Sequence, residues 1–297
     1  MIADTKAIAV DQELSSRFIL TLSCQDRRGI VHAVSRFLSE RGGNINEAAQ
    51  FNDQESGRFF MRVAFTMEGE PLALDDLRQA FAAVAEEFGM QWDIVDAAAR
   101  VPTVIMVSRL GHCLHDLLLR WKTGLLPIEI KAVVSNHRDF YQLAASYDIP
   151  FHHIPVTPQS KPQAEASLMK VVEGEKAELV VLARYMQILS DELSQKLHGR
   201  AINIHHSFLP GFKGAKPYYQ AYERGVKLIG ATAHYVTGDL DEGPIIEQDV
   251  QRADHAMSPQ SLTSLGRDVE SVVLARAVKW HAERRVLINE NRTVVFR

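Results

Sequence analysis

Short apolar segments alternate with amphipathic helical segments through the last two thirds of the chain, and this alternation restricts the fold more than any other feature. Val, Ile and Leu dominate the apolar segments, which read in order TVIMVS, IEIKAVVSN, FHHIPV, AELVVLA and AINI. Such runs are typical of parallel strands that helices cover on both faces. The pattern predicts a Rossmann-like α/β domain with a mostly parallel sheet, in which ligands bind beyond the carboxyl ends of the strands.

The segments that follow predict a hairpin, a long helix and a last strand. KLIGATAHYVTG (227–238) and PIIEQDVQR (244–252) are typical of a β-hairpin. Residues 258–285 predict a helix with Ser258 as its N-cap, because serine is favoured there. TVVF (293–296) predicts an edge strand.

The first hundred residues follow a different order, βαββαβ, which is typical of a ferredoxin-like antiparallel sheet with two helices on one face. Asp26 is the expected N-cap of the first helix, and the segment AARVP (98–102) is the expected linker between two domains, 1–98 and 99–297. Strands are expected at 17–24, 44–53, 57–68 and 91–98, and helices at 26–43 and 72–89.

Composition argues against several classes of partner. The net charge of −4 is not that of a basic nucleic-acid binder. The two cysteines, Cys24 and Cys113, cannot build a disulfide framework and favour a reducing, cytoplasmic setting. Residues 1–16 lack the apolar core of a signal peptide, and no apolar run is long enough to predict a membrane span. We therefore expect neither nucleic acid nor membrane as a partner.

Polar residues suited to chemistry at a carbonyl group lie at the ends of predicted strands in the second domain. Asn203 and His205 alternate along a strand, so their side chains point to the same side. His234 lies within the next strand, and Asp241 lies in the turn after it. Asn203 is suited to donate to an oxyanion, His205 to move a proton, and Asp241 to orient and deprotonate a water.

Residue types alone leave other roles open. An asparagine at a strand end often satisfies backbone groups, an aspartate is common in turns, and His234 suits a buried core position. A zinc site formed by His205, His206, His234 and Asp241 is a further alternative. The sequence has neither an HExxH motif nor a cysteine cluster to support it, and asparagine is a poor zinc ligand.

The run NIHHSFLPGFKGAKPY, followed by GATAHYV and LDEGPII, resembles the formyltransferase fold family that uses 10-formyltetrahydrofolate. The resemblance implies that Asn203, His205 and Asp241 are catalytic and that His234 supports them. LARYMQILSDEL (182–193) is similar to the folate-pocket segment of that family. It implies that the substrate's pteridine contacts this segment at Met186, Gln187, Ile188 and Leu189, with Gln187 where glycinamide ribonucleotide transformylase carries arginine.

Three further features favour one branch of that fold family. The first loop, VSRLGHCLHDLL, lacks the glycine-rich phosphate cradle of the transformylase, and His206 stands where the transformylase carries proline. The first domain resembles an ACT domain, with DRRGIV and GGNINEAAQF in the expected places. An ACT-like domain before a formyltransferase-type domain is the arrangement of the formyltetrahydrofolate deformylase family, which the chain resembles over nearly its whole length.

This resemblance implies a hydrolase that converts 10-formyltetrahydrofolate to tetrahydrofolate and formate, supplying formate for purine synthesis and balancing the one-carbon pool. It implies no metal and no cofactor beyond the folate substrate, with His206 as a supporting residue that helps to close the site to amines. The alternatives are a formyltransferase acting on an amine acceptor and a non-catalytic, folate-binding regulator.

For the ACT-like domain, the resemblance implies a homo-oligomer, either a dimer or a tetramer, with an amino-acid effector at a dimer interface. Glycine and methionine are the expected effectors. The implied effector site includes Asp26, Gly29, Asn44 and Asn46. The alternative is that this domain only dimerises the enzyme.

Overall fold

The computed structural model describes residues 17–68, 73–210 and 217–297. The chain forms two compact units. The first runs to Ala99 and includes Glu283–Leu287 and Val294–Arg297, whereas the second comprises Arg100–Ala282 and Ile288–Thr293. The C-terminal tail therefore contributes residues to both units. Residues 1–16, which were examined for a signal peptide, and residues 211–216 of the formyltransferase-like motif lie outside the described part.

The first unit has the predicted βαββαβ order. Its strands form an antiparallel sheet in the order β2-β3-β1-β4. Alternate residues of the central strands, such as Leu20 and Val63, join Leu38 and Phe81 from the helices in one buried cluster, which confirms the ferredoxin-like plan. The elements are β1 (Arg17–Gln25), α1 (Ile30–Ser39), β2 (Gly43–Asp53), β3 (Arg58–Met67), α2 (Leu74–Phe88) and β4 (Gln91–Asp96).

The start of α1 differs from the prediction. The helix begins at Ile30, and its N-cap is Gly29, whose φ of 98° lies in the left-handed region that glycine tolerates best. The Asp26 carboxylate instead accepts a hydrogen bond from the side chain of Asn52. The prediction of Asp26 as the N-cap was therefore wrong, because a tight turn separates it from the helix.

The second unit has a seven-stranded sheet in the order β11-β10-β9-β8-β5-β6-β7, which confirms the mostly parallel α/β fold. The five strands from β7 across to β9 are parallel to one another. Strand β10 is antiparallel to both of its neighbours, β9 and β11. The strands are β5 (Val101–Val107), β6 (Ile128–Ser135), β7 (Phe151–His153), β8 (Leu179–Leu182), β9 (Ala201–His205), β10 (Leu228–Tyr235) and β11 (Ile245–Arg252). The helices are α3 (His112–Lys122), α4 (Tyr141–Ser146), α5 (Lys161–Gly174), α6 (Asp191–Lys196), α7 (Pro217–Glu223) and α8 (Pro259–Ala282).

The order of these strands determines where a ligand can bind. After β5 the chain winds through β6 and β7 on one side, and it then returns to β8 and β9 on the other. The connections therefore diverge between β5 and β8, and a crevice opens at the carboxyl ends of these two strands. Buried apolar residues such as Val104, Met106 and Val180 anchor the strands beneath that crevice.

The remaining predictions about elements are mostly confirmed. The strands β10 and β11 form the expected hairpin, and the Ser258 hydroxyl accepts from the Ser261 backbone N–H at 3.1 Å at the start of α8. The last strand, β13 (Arg292–Val295), confirms the predicted edge strand, and it pairs with β12 (Val286–Asn289) in a separate two-stranded sheet. Within the described residues, no helix combines the length and the apolar character needed to cross a bilayer.

Candidate active site

Strand β9 carries two of the candidate catalytic residues to the carboxyl edge of the sheet. Asn203 pairs with Leu182 of β8 on one side and with His234 of β10 on the other. His205 lies two residues further along the same strand, so its side chain points to the same side as that of Asn203. The strand pairing alone therefore brings Asn203, His205 and His234 to one place.

The contacts of His234 determine which of its ring nitrogens carries hydrogen. Nδ1 lies 2.8 Å from the backbone carbonyl of Tyr235, which only accepts, so Nδ1 donates. The amide nitrogen of Asn203 only donates, so Nε2 of His234 accepts from Asn203 Nδ2 at 3.2 Å. This bond holds the Asn203 carboxamide in one orientation and uses one of the two hydrogens on its nitrogen. A bulge between Ala233 and His234 changes the register with β11 at this point.

Asp241 completes the group from the turn that follows β10. Its Oδ2 lies 3.1 Å from Nδ1 of His205, and its Oδ1 lies 3.7 Å from Nε2 of His234. Burial by itself would raise the pKa of Asp241, but the two imidazoles outweigh burial and hold the pKa well below its ordinary value. Asp241 is therefore a carboxylate at neutral pH, and Nδ1 of His205 donates to it.

The turn that carries Asp241 lies tightly against the end of β10. A Cβ on Gly243 would lie 1.8 Å from the carbonyl oxygen of Tyr235, so this position has room for glycine alone. The Tyr235 N–H donates to the carbonyl of Pro244 at 2.9 Å. These two features fix the distance between Asp241 and the histidines.

Two further polar residues lie beside His205. Nε2 of His205 lies 2.9 Å from the hydroxyl of Ser207. The ring of His206 lies 4.9 Å from that of His205, centroid to centroid. Sequence reasoning assigned no role to Ser207, although it stands at the serine position of the Asn-x-His-x-Ser motif.

A cavity of about 330 Å³ joins these polar groups to the expected folate segment. One wall of the cavity is lined by the polar group, which consists of Asn203, His205, His206, His234 and Asp241. The opposite wall is the segment after β8, where Met186, Gln187, Ile188 and Leu189 line the cavity. Met186 is 55% exposed and Ile188 is 60% exposed, so this wall offers apolar surface to a ligand.

Comparison with known proteins identifies the family. The formyl transferase family model matches residues 101–278, and the ACT domain model matches residues 18–83. A formyltetrahydrofolate deformylase from Corynebacterium sp. is 53% identical over 281 residues, which are 95% of this chain and 98% of the relative. The chain belongs to the formyltetrahydrofolate deformylase family.

Solved structures lead to the same assignment. The formyltetrahydrofolate deformylase of Burkholderia mallei superposes with a TM-score of 0.91 at 56% identity, over 95% of this chain and all of the other. Glycinamide ribonucleotide transformylase 1 of Symbiobacterium toebii superposes with a TM-score of 0.63 at 28% identity and covers only 67% of this chain. The deformylase therefore matches nearly the whole chain and so both units, whereas the transformylase matches about two thirds of the chain.

In this member of the deformylase family, Ser108 organises the folate-side wall, a role that sequence reasoning missed. Ser108 directly follows β5, and its side chain is buried. Its hydroxyl accepts from the Met186 N–H at 3.0 Å and donates to Oδ1 of Asn136 at 2.7 Å. The available signal was its position at the carboxyl end of a parallel strand, where ligand-binding loops begin.

The structure also bears on the zinc alternative. Among the described residues, the one cluster of three metal-ligating side chains within 4.8 Å consists of His112, Cys113 and Glu270, away from the residues considered in the sequence. Burial raises the pKa of the Cys113 thiol, which therefore stays protonated, whereas a metal ligand must be a thiolate. Nε of Arg184 lies 3.3 Å from the Glu270 carboxylate and already supplies a positive charge there. This cluster is poorly suited to a cation.

The candidate effector residues of the first unit lie at two ends of the sheet within one chain. Asp26 contacts Asn52, which pairs with Phe59, whereas Asn44 pairs with Thr66 and the Asn46 side chain accepts from the Thr66 hydroxyl. The two pairing positions are seven residues apart along β3, which corresponds to about 20 Å along a strand. Gly29 lies beside Asp26, so a single chain does not bring all four residues together.

Proposed function

We propose that this protein hydrolyses 10-formyltetrahydrofolate to tetrahydrofolate and formate, which supplies formate for purine synthesis. Its membership of the deformylase family supports this reaction. The observation that carries the proposal is the meeting of Asn203, His205, His234 and Asp241 in one cavity, opposite an apolar wall of the size and character that a pteridine needs.

The proposed catalytic role of Asp241 follows from its charge. A carboxylate with a lowered pKa orients a water well but accepts a proton weakly. Asp241 therefore holds the attacking water and acts as the base together with His205, which its Oδ2 contacts at 3.1 Å. As the water loses its proton, the carboxylate stabilises the positive charge that develops on His205. The pair then delivers the proton to the 10-nitrogen of the folate as the C–N bond breaks.

Asn203 has the role of oxyanion donor in this mechanism. Its amide nitrogen has two hydrogens, and the bond to His234 uses one of them and fixes the direction of the other. The second hydrogen then points to where charge develops on the formyl oxygen. His234 is a positioning residue because it acts through the Asn203 amide, and His206 supports the wall of the cavity that faces an acceptor.

The decisive experiment omits any acceptor. Purified protein is mixed with 10-formyltetrahydrofolate in buffer without amines, and formate and tetrahydrofolate are both measured. We expect equal amounts of the two products, formed at a rate that added amines do not raise. Consumption of substrate only in the presence of an amine would identify a formyltransferase instead, and binding without turnover would identify a folate-binding regulator.

The proposed reaction uses the chain's own side chains and requires no metal or cofactor beyond the folate substrate. The four polar groups together supply a base, an oxyanion donor and a proton carrier. We expect dialysis against a chelator to leave the rate unchanged. A loss of rate that zinc restores would contradict this part of the proposal. The cytoplasmic setting predicted from the sequence belongs to the same proposal, and both cysteines are free, buried thiols.

For the first unit, we propose that residues 1–98 form a regulatory and dimerising domain and that residues 99–297 form the catalytic domain. The separation of Asp26 and Gly29 from Asn44 and Asn46 within one chain favours an effector site that two copies share, in a dimer or a tetramer. Glycine or methionine is the expected ligand. Calorimetry with each amino acid tests this, with Asn44→Ala as the variant that should abolish the heat. Absence of heat and of any effect on rate with both amino acids would leave dimerisation as the sole role.

A further inference from the structure

Arg184 is a buried cation in the wall of the candidate active site. It lies two residues beyond Leu182, the residue of β8 that pairs with Asn203, and it lines the same cavity. Only 8% of its surface is exposed, and its φ of 64° is unusual for a residue with a side chain. Its backbone carbonyl accepts from the N–H of Ser108 at 3.3 Å. The backbone around Arg184 is therefore held in a conformation that places a positive charge beside the cavity.

The nearest negative charge is Glu270 of α8, which is 1% exposed and already has other partners for both of its oxygens. The hydroxyl of Tyr218 donates to Oε1 at 2.5 Å, and Nε2 of His112 lies 2.7 Å from Oε2. A Cβ on Gly266 would overlap the Tyr218 ring, so glycine makes room for this contact. Burial would raise the pKa of Glu270, but His112, Arg184 and Tyr218 outweigh burial and lower it, so the carboxylate stays charged.

Most of the N–H groups of Arg184 find no acceptor among the described residues of this network. Nε of Arg184 lies 3.3 Å from Oε2 of Glu270, yet it makes no hydrogen bond within the described part of the chain. Its terminal nitrogens likewise meet no acceptor among the described residues, and they are not among the fully buried unsatisfied atoms. Arg184 therefore balances the charge of Glu270, lies in the wall of the cavity and keeps N–H donors that no described residue accepts. The planar fork of donors on an arginine is the side-chain group best matched to a carboxylate.

We infer that Arg184 is the binding site for the formate that the reaction releases, an inference that rests on the proposed function. In hydrolysis, a water oxygen bonds to the formyl carbon, and the C–N electron pair passes to the 10-nitrogen, which takes up one proton. The acid formed loses a second proton and becomes formate. This anion arises in the same cavity as the Asp241 carboxylate, which repels it. A guanidinium in the wall stabilises the newly formed anion and draws it away from Asp241.

The site is tested without any folate, by titrating ¹³C-labelled sodium formate into the protein and following its NMR line width. We expect saturable binding to the natural protein, no comparable binding of chloride at equal ionic strength, and inhibition of turnover by added formate. Arg184→Lys keeps the charge beside Glu270 but loses the fork of donors, so formate should bind at least about 10-fold more weakly. Arg267→Lys, an exposed arginine on the same helix as Glu270, is the matched control and should bind formate as the natural protein does.

A second variant keeps the test possible if the first one does not fold. If Arg184→Lys does not fold by circular dichroism, the pair Arg184→Gln with Glu270→Gln removes both charges together, and we expect it to fold and not to bind formate. Formate that binds these variants as tightly as the natural protein, or chloride that binds as tightly as formate, would overturn the inference. Turnover without any saturable formate binding would overturn it too. Formate binding in a protein that never turns over 10-formyltetrahydrofolate would leave the anion site standing and refute the proposed function.

Discussion

Asp241 stands in a left-handed backbone conformation, with φ of 57°, which costs about 1–3 kcal/mol for a residue other than glycine. The surrounding structure maintains it: His205 and His234 contact the carboxylate, and Gly243 allows the turn to lie against Tyr235. Strain held in this way is common where a side chain must point in one direction for function. At the residue scale, each polar side chain of the site is held in one orientation by a contact with another residue.

Asp241→Asn tests the base. The amide keeps the size of the side chain but can neither hold a positive charge on His205 nor accept a proton, so we expect the rate constant for turnover to fall about 10²–10⁴-fold. Substrate binding should change little. Glu242→Gln makes the same chemical change at the next, exposed position and should leave the rate unchanged. Because the pKa of Asp241 is lowered, protonation of this group should not reduce the rate of the natural enzyme above about pH 5. Near-normal turnover by Asp241→Asn would refute the role.

Asn203→Ala tests the oxyanion donor. Loss of one such donor typically lowers the rate constant for turnover about 10²–10³-fold. We expect that loss with folate binding retained, measured by steady-state kinetics together with equilibrium binding of a folate that is not turned over. Asn291→Ala removes an exposed asparagine from the β12–β13 turn and serves as the control. An equal loss of binding and rate would instead indicate a structural role for Asn203.

At the scale of elements, the ends of three strands hold the two walls of the cavity. The end of β10 and the turn after it carry His234 and Asp241, and the ends of β5 and β6 hold the segment from residue 184 to residue 189 through Ser108 and Asn136. Each wall is thus fastened by a contact between neighbouring elements. We expect damage to the first contact to change the turnover rate and damage to the second to change substrate binding.

Gly243→Ala tests the first contact. The added methyl group overlaps the Tyr235 carbonyl, so the turn must shift and carry Asp241 away from His205. A misplacement of about 1 Å can cost about 10²-fold, and we expect at least about a 10-fold loss in turnover rate. Gly174→Ala, at a helix end with no atom near the new methyl group, should be neutral. Unchanged kinetics in a folded Gly243→Ala protein would show that the turn does not position Asp241.

Ser108→Ala tests the second contact. It removes the hydroxyl that accepts from the Met186 N–H, at a cost of about 1–2 kcal/mol. We expect KM for the folate substrate to rise about 5- to 30-fold, with a much smaller change in the turnover rate. Ser167→Ala removes an exposed hydroxyl from α5 and should change neither constant. A fall in turnover rate alone would argue that Ser108 acts on the chemistry and not on the folate-side wall.

At the scale of the whole molecule, the C-terminal tail completes the first unit. The guanidinium of Arg62, which is buried, donates twice to the backbone carbonyl of Glu283. Arg285 makes two contacts with the Glu47 carboxylate, and these hydrogen bonds, stronger than the opposing effect of burial, lower the pKa of Glu47. Residues more than 200 positions apart in sequence therefore stabilise the same sheet.

Arg285→Met tests this contribution of the tail. It breaks the paired contact with Glu47, and we expect a loss of about 1–2 kcal/mol in the free energy of unfolding of the first unit. Urea unfolding followed by circular dichroism measures the change. Arg36→Met breaks an exposed ion pair with Glu40 in the same unit and should cost less than about 1 kcal/mol. Equal effects of the two substitutions would contradict a structural role for the tail.

Much of the fold was predictable because its signals are local. The period of apolar residues in β1, α1 and α2 matches their burial, and the Val- and Ile-rich runs of β5, β6 and β8 are buried on both faces. The four polar residues of the site could also be proposed from the sequence, since Asn203 and His205 share a strand, His234 lies within the next strand and Asp241 lies in the turn after it. The N-cap of α1 was not predictable, because Gly29 lies three residues beyond the expected Asp26 and is set by a tight turn.

The sequence by itself determined the order of elements and the two fold classes, because these depend on residue types at short, regular spacing, and its resemblance to a known family indicated the candidate catalytic group. Only the tertiary structure decided that Glu270 meets His112, Tyr218 and Arg184, that Ser108 supports Met186, and that β13 pairs with β12. These contacts join residues from separate helices and loops, and they depend on how the helices pack on the sheet. No local pattern encodes that packing, since the same amphipathic helix can present any of its polar residues to a neighbour until the neighbour is known.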